Sequence, residues 1–200
     1  MSLRHAILGV VSAKPMTGYE LSQLFNRSVL FAWAAGQPQI YGELHKMAGE
    51  GLLSSSSEQR GRSQKHLYDI TPTGADELRR WVDEAMVYSA EKDPARLRSL
   101  FLDLSAPNAG RALFERHIAH YEALSVQIEA MMDDVRKQPT PLIQARLARR
   151  PKREHAPLVE IRLMALEAKL SHARTEIAWA ERGLRILAAL EPKTESRRAV

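Results

Sequence analysis

The feature that most constrains this chain is a row of apolar residues near its C-terminal end. Val159, Leu163, Leu166, Leu170, Ala173, Ile177, Ala180, Leu184 and Leu187 follow one another in alternating steps of four and three. A 3.5-residue repeat held over about four heptads predicts a long helix with a coiled-coil seam. A second row, Ile161, Ala165, Ala168, Trp179, Ile186 and Leu190, widens the apolar surface. A helix with two apolar faces has to bury both. An upstream stretch can cover one of them, because Phe114, His117, Tyr121, Leu124, Ile128, Met131 and Val135 keep the same alternating spacing until Pro139 and Pro141 stop it. The other face most easily meets a second copy of the chain. The expectation is a homodimer about a two-fold axis, with Leu163, Leu166, Leu170, Ile177, Trp179, Leu184 and Leu187 at the interface.

Composition narrows the function classes. The chain has 200 residues and no cysteine, which removes disulfides, thiolate catalysis and cysteine-held metal sites. No apolar run is long enough to span a bilayer. The opening Met-Ser-Leu-Arg-His enters a helical pattern without a signal-peptide profile, so a cytoplasmic protein without a membrane partner is expected. A net charge of +5 suits an anionic partner. Its placement weakens that inference, because residues 1–88 hold nine basic and nine acidic residues and the excess lies in residues 89–200. DNA binding has to be argued from local placement.

The N-terminal part reads as helix, helix, connector, helix, hairpin, helix. Leu3, Ile7, Val10 and Val11 mark the first helix, and Lys14-Pro15-Met16 breaks it. Thr17 suits the N-cap of the second. Ser28 to Ala35 connects, with Phe31 and Trp33 in it. The third helix starts near Gln37, with Pro38 in its first turn and Gly51 just past its end. Ile40, Leu44 and Met47 form its apolar stripe; Gln39, Tyr41, Gly42, His45 and Lys46 form the other side. Glutamine can pair with a base edge, while lysine, histidine and tyrosine reach phosphates. The bland alternative is an ordinary amphipathic surface helix.

The residues after this helix favour the sharper reading. Leu52–Gln59 and Gln64–Ile70 read as two strands around Arg60-Gly61-Arg62-Ser63, a turn with basic residues at its tip and Lys65 just beyond it. Three helices followed by a basic hairpin form a winged helix-turn-helix pattern, with the third helix in the major groove and the wing beside it. The alternative for Arg60, Arg62 and Lys65 is a solvated turn. Thr71-Pro72 starts a helix carrying Ala75, Leu78, Val82 and Ala85, with Trp81 beside the stripe, expected to end near Tyr88.

After a linker at Ser89–Asp93, Asp93-Pro94 caps a helix with Leu97, Leu100, Phe101 and Leu104. The arginine-rich residues 142–156 read as helix or loop, with a break near Pro157. The expected division is a DNA-binding domain at 1–88, a helical dimerisation domain at 89–192 and a flexible tail at 193–200.

Several of these pieces resemble the PadR family of bacterial transcriptional regulators. They are Ala6-Ile7-Leu8-Gly9, Thr17-Gly18-Tyr19-Glu20, Phe31-Ala32-Trp33, Gln39-Ile40-Tyr41-Gly42-Glu43-Leu44, Glu50-Gly51-Leu52 and Leu67-Tyr68-Asp69-Ile70-Thr71. The C-terminal half is similar to the helical domain of the long-form branch, and Met1-Ser2-Leu3 and Trp179-Ala180-Glu181 lean toward its virulence-activator type. The resemblance implies a mainly α fold: an N-terminal winged helix-turn-helix with a two-stranded wing, then a C-terminal antiparallel helical, coiled-coil dimerisation domain. It implies a dimer on an inverted-repeat operator in double-stranded DNA. Gln37, Gln39 and Tyr41 sit where the family contacts DNA, and Tyr19 where it touches a phosphate. Gly42 departs from the proline that many members carry.

The leading expectation is a sequence-specific regulator, most often a repressor. A phenolic or other aromatic effector would bind between reading heads and dimer domain, walled by Phe31, Trp33, His117, His120 and Tyr121, unless these are simply core and interface residues. The competing reading is a coiled-coil scaffold or effector sensor without direct DNA reading. An enzyme is not expected, since no Gly-rich phosphate loop or nucleophile elbow is present. No cofactor and no metal are expected: His117-x-x-His120 could face a metal, but no third ligand is spaced with it.

Overall fold

The structure, a computed structural model, describes residues 3–27, 36–60, 63–87, 93–106, 108–137 and 140–190. Phe31, Trp33, Arg62, Tyr88, most of the expected linker and the tail lie outside the described residues, as does the side chain of Arg60. The chain divides into two compact units, Met1–Val87 with Asp133–Leu163, and Tyr88–Met132 with Met164–Val200.

In the first unit, α1 (Leu3–Val11), α2 (Gly18–Arg27) and α3 (Gln37–Gly49) pack beside a three-stranded antiparallel sheet in the order β1-β3-β2. The strands β2 (Leu53–Arg60) and β3 (Ser63–Ile70) are the expected hairpin, in register from Leu53 opposite Ile70 to Arg60 opposite Ser63. The stretch read as a plain break after α1 also supplies β1 (Met16–Thr17), which pairs Met16 with Tyr68 and Thr17 with Leu67. Period-2 alternation cannot reveal a strand this short. The core gathers Ile7, Leu8, Val11, Leu21, Phe25, Ile40, Leu44, Met47, Leu53 and Tyr68, with Leu142 packed on it.

Helix ends follow the expected chemistry. Thr17 and Glu20 form a reciprocal cap at α2: the Glu20 amide donates to the Thr17 hydroxyl (3.2 Å), and the Thr17 amide donates to the Glu20 carboxylate (2.8 Å). That amide, chiefly, holds the Glu20 carboxyl below its ordinary value. Past α3, Gly51 takes φ 74°, the left-handed residue that lets the Leu52 amide reach back to the Met47 carbonyl (2.9 Å). Thr71 caps α4 (Pro72–Asp83), accepting from the Gly74 amide (3.1 Å). The helix stops at Asp83, short of the expected Tyr88. Val82, Met86 and Val87 are 65%, 73% and 90% exposed, so further turns would bury nothing.

The ambiguous arginine-rich stretch is largely helical. Thr140 caps α7 (Pro141–Ala148), which buries Ile143. A 3-10 turn at Lys152–Glu154 leads into α8 (His155–Leu190). The break expected near Pro157 is absent because that proline falls in the first turn, where no intrahelical N–H is needed.

The second unit contains α5 (Pro94–Ser99), a 3-10 turn at Leu102–Leu104, most of α6 (Ala109–Lys137) and the greater part of α8. Here α6 and α8 pack together. Phe114 meets Trp179 edge-on at 5.3 Å, and a Cβ on Gly183 would lie 2.4 Å from the Phe114 ring.

The seam of α8 is therefore used differently from the expectation. Leu163, Leu166 and Leu170 are already buried within one chain, and Ile177, Trp179, Leu184 and Leu187 are half-buried, so this row offers little free surface for a partner. A strict 3.5 repeat stays on one face only if the helices supercoil. Instead the covered face shifts along α8 and brings Glu176 inward beside Ala173 and Ala180. Among the described residues, the large apolar side chains exposed in this unit are Val126, Met164, Ile186 and Leu190, together with Leu97, Leu100, Phe101 and Leu104. The last four were expected on one helix, but α5 ends at Ser99 and only Leu97 lies within it.

Candidate nucleic-acid interface

The back of α3 is locked in place. Ile40, Leu44 and Met47 are fully buried. Arg4 on α1 clamps the helix from a second direction, through Glu43 (2.9 Å) and Glu50 (2.8 Å). No periodicity marks that clamp, and sequence reasoning missed it. His5, also on α1, stacks on Trp81 of α4 at 4.7 Å. Three helices are thus fixed against one another, and α3 has one face left for a partner.

On that face Gln37, Gln39, Tyr41, Gly42, His45 and Lys46 are all exposed. Their states differ. The Gln39 side-chain oxygen accepts from the Gly36 amide (3.2 Å), so it also caps the helix, while its NH2 group remains available. Tyr41 lies flat on α2: a Cβ on Gly18 would sit 2.6 Å from its ring. A side chain at Gly18 would have to push the Tyr41 ring aside. A Cβ on Gly42 would meet nothing within 4 Å, so packing does not demand glycine there. Tyr19 is 58% exposed at the start of α2, where its hydroxyl accepts from Gln23 (3.3 Å). Lys65 is exposed on β3.

Of the other expected cluster, His117, His120 and Tyr121 lie in the second unit, and Phe31 and Trp33 lie outside the described residues. His117 and Tyr121 line an open cavity of about 630 Å³ with Asp93, Arg96, His172 and Glu176. His120 is exposed and meets Tyr121 edge-on at 5.0 Å. The organising residue is Glu176, which the sequence reading did not single out. It is 3% exposed and accepts from Arg96 (2.9 and 3.1 Å), with His117 at 3.0 Å. Burial pushes its carboxyl up, but hydrogen bonds from Arg96 and His117 outweigh burial and leave it below its ordinary value. Arg96 also pairs with Asp93 and lies over the Trp179 ring at 4.9 Å. His117 is thus a partner of a buried carboxylate. Among the described residues no cluster of His, Asp and Glu fits a metal ion.

Residues 7–80, which run from within α1 to within α4, match the family model described as the transcriptional regulator PadR-like family. A probable transcriptional regulator of Mycobacterium tuberculosis is 37% identical over 87 residues, 43% of this chain and 46% of the relative. Residues 7–80 are a PadR-like transcriptional-regulator domain.

The match to the mycobacterial relative spans about half of that protein's length. The negative transcriptional regulator PadR of Bacillus subtilis is 27% identical over 123 residues, 60% of this chain and 68% of that protein. Its crystal structure with operator DNA superposes with a TM-score of 0.69 at 21% identity, over 94% of this chain and 99% of that one. The Vibrio cholerae virulence activator AphA gives 0.67 at 23% identity, over 94% and 99%. These likenesses establish the PadR winged-helix fold with its C-terminal helical region. Within the PadR-like domain, the glutamine and tyrosine face of α3 was legible from residue types, whereas the clamps that hold it were not.

Proposed function

We propose that this PadR-like chain is a dimeric, sequence-specific DNA-binding regulator of the cytoplasm, acting as a repressor by occupying a promoter. Residues 1–88 are the reading head and residues 89–192 the dimerisation domain. The observation that carries this reading is α3, whose back is buried and clamped while Gln37, Gln39, Tyr41, His45 and Lys46 stand outward. Supporting it, a relative of the same fold, the Bacillus subtilis regulator, was crystallised with operator DNA. Arg60, Arg62 and Lys65 of the wing add phosphate affinity that falls with salt. Dimerisation would cover the outward apolar residues Leu97, Leu100, Phe101, Leu104, Met164, Ile186 and Leu190, a surface large for a monomer to leave wet. This assignment replaces the inner seam of α8.

The double role of Gln39 makes a clean test. Gln39→Glu keeps an acceptor for the Gly36 amide and suits the helix N-terminus, but removes the amide donors. Both Gln39→Ala and Gln39→Glu are expected to cost about 1–3 kcal/mol at one base position of the operator. Only Gln39→Ala should lower the melting temperature as well. Equal weakening on every sequence, measured by titrating operator variants, contradicts a base-reading role.

Relief by a small effector is the second part of the reading. The same Bacillus subtilis regulator was crystallised with p-coumaric acid. In this chain His117 and Tyr121 line a cavity of suitable size.

A further inference from the structure

The N-terminal segment of the first unit has no positive charge to spare. Residues 1–87 hold nine basic and nine acidic residues, whereas residues 133–163, which fold into the same unit, bring eight basic against four acidic. Five of those eight fall within the eight positions from Arg146 to Arg153, around the end of α7 and the 3-10 turn after it. The excess charge that lies far from α3 in sequence is therefore folded back onto the unit that carries α3.

Two of the five are anchors. Arg146 donates through Nη2 to the Gly9 carbonyl (2.8 Å) and the Ser12 hydroxyl (2.9 Å), and Arg149 through Nη1 to the Ser12 carbonyl (2.7 Å). They fasten α7 to the C-terminal end of α1, where a helix dipole favours cations. The other three, Arg150, Lys152 and Arg153, are exposed. Among the described residues their one close carboxylate is Glu154, 3.7 Å from Arg150. The crowding is felt at Arg146, which burial first and Arg150 second pull below its ordinary value. Like charges packed into one short segment repel, and a polyanion laid across them removes that cost.

The segment also runs on toward the reading face. Arg149 holds Ser12, and Lys14 follows two residues later. The Glu20 carboxyl, held low first by the Thr17 amide, also feels Lys14 and then Lys65 of the wing strand. Thr17 in turn pairs with Leu67, two residues from Lys65 on β3. Basic side chains thus continue from α7, past the end of α1, to the wing and to the start of α2, where Tyr19 is exposed.

We propose that residues 146–153 form a second DNA-contact surface, which takes the phosphodiester backbone flanking the half-site that α3 reads. The exposed members are two guanidiniums and an ammonium, groups that bind phosphates and position a duplex without reading its sequence. An acidic protein would match the charge as well, but continuity with Lys14 and Lys65 favours the backbone of the same duplex. This inference rests on α3 being a DNA reader, and its test keeps the two claims apart.

The test is an anisotropy titration of the full chain, across a range of salt, on two labelled duplexes. One holds the two half-sites and nothing beyond; the other extends each end by one helical turn, about 10 bp. The wild-type chain is expected to bind the longer duplex about tenfold more tightly, with a salt slope steeper by about 2 or more, since each neutralised phosphate adds about 0.9 and both subunits contribute. The variant Arg150→Gln/Lys152→Gln/Arg153→Gln changes exposed side chains and leaves both anchors and, because surface ion pairs contribute little, the melting temperature in place. It should lose both gains, match the wild type on the shorter duplex and keep its preference for operator over random sequence. Arg150→Lys/Arg153→Lys, which keeps the charge, should behave as the wild type does. No gain from the added turns, the same slope for the glutamine variant as for the wild type on the longer duplex, or an equal loss on both duplexes overturns the flanking contact and leaves α3 as the reader. A wild-type chain without operator preference on either duplex would instead sink the DNA reading, and this inference with it.

Discussion

Gly74→Ala should destabilise the first unit by about 3 kcal/mol or more, beyond the usual range for one added methyl group. The reason is geometric. The new Cβ would lie 2.1 Å from the Leu52 carbonyl oxygen and 3.1 Å from an Ile70 methylene. The nearer atom is backbone, fixed because Leu52 also accepts the Thr71 amide (3.1 Å) and follows the left-handed Gly51. Relief requires moving the start of α4 away from the α3–β2 junction, which breaks the Thr71 cap on the Gly74 amide. Urea denaturation should show a large drop in midpoint. Gly42→Ala, an open position on α3, serves as the control and should be neutral or slightly stabilising. A stable Gly74→Ala protein would mean that this junction is looser than described.

The second large effect is at Arg96. Glu176 is 3% exposed and depends on Arg96 for two hydrogen bonds. Arg96→Ala leaves a buried carboxylate facing His117 (3.0 Å) and, at longer range, His172 (3.8 Å). The expected cost is about 3 kcal/mol, the lower end for stripping a buried charge, because water reaches the Arg96 position. The pH dependence should change as well. In the native chain the Glu176 carboxyl lies below its ordinary value, so its contribution is present above the unfolded pKa, near 4.5, and is lost as pH falls through the lower folded value. In Arg96→Ala, burial dominates and pushes the group up, so acidification toward 4.5 should recover stability. Melting curves between about pH 7 and pH 4 separate the two. Parallel curves would show that the Arg96–Glu176 pair does not govern this unit.

How much of this was legible depends on the range of each signal. Caps act within a turn, and Thr17-x-x-Glu20, Thr71-Pro72 and Asp93-Pro94 were readable as they stand. The buried stripe of α3 was readable because Ile40, Leu44 and Met47 repeat at helical spacing. The wing was readable because two short runs flank a glycine turn. Pairings across long sequence distances left no trace: Arg4 with Glu43, Arg146 with Gly9 and Arg96 with Glu176 join positions 39, 137 and 80 residues apart. The α8 seam shows the complementary limit. Heptad spacing announced that a face would be covered but did not tell a neighbouring helix of the same chain from a second copy. Glu176 entered because the covered face shifts along the helix, which a fixed repeat hides. On the reading face, residue types pointed to Tyr41 and Gln39, yet neither the seat of Tyr41 on Gly18 nor the capping role of Gln39 follows from composition.

The central claim is that two copies present α3 to matching half-sites of one duplex. A hydroxyl-radical footprint of the full chain on the promoter of its own gene, at moderate salt, tests it most directly. Two symmetric protected patches are predicted, centred about one helical turn apart, ~34–36 Å, and lost in the presence of excess operator but not of excess random duplex. A single patch, or protection that random duplex removes equally well, would contradict it.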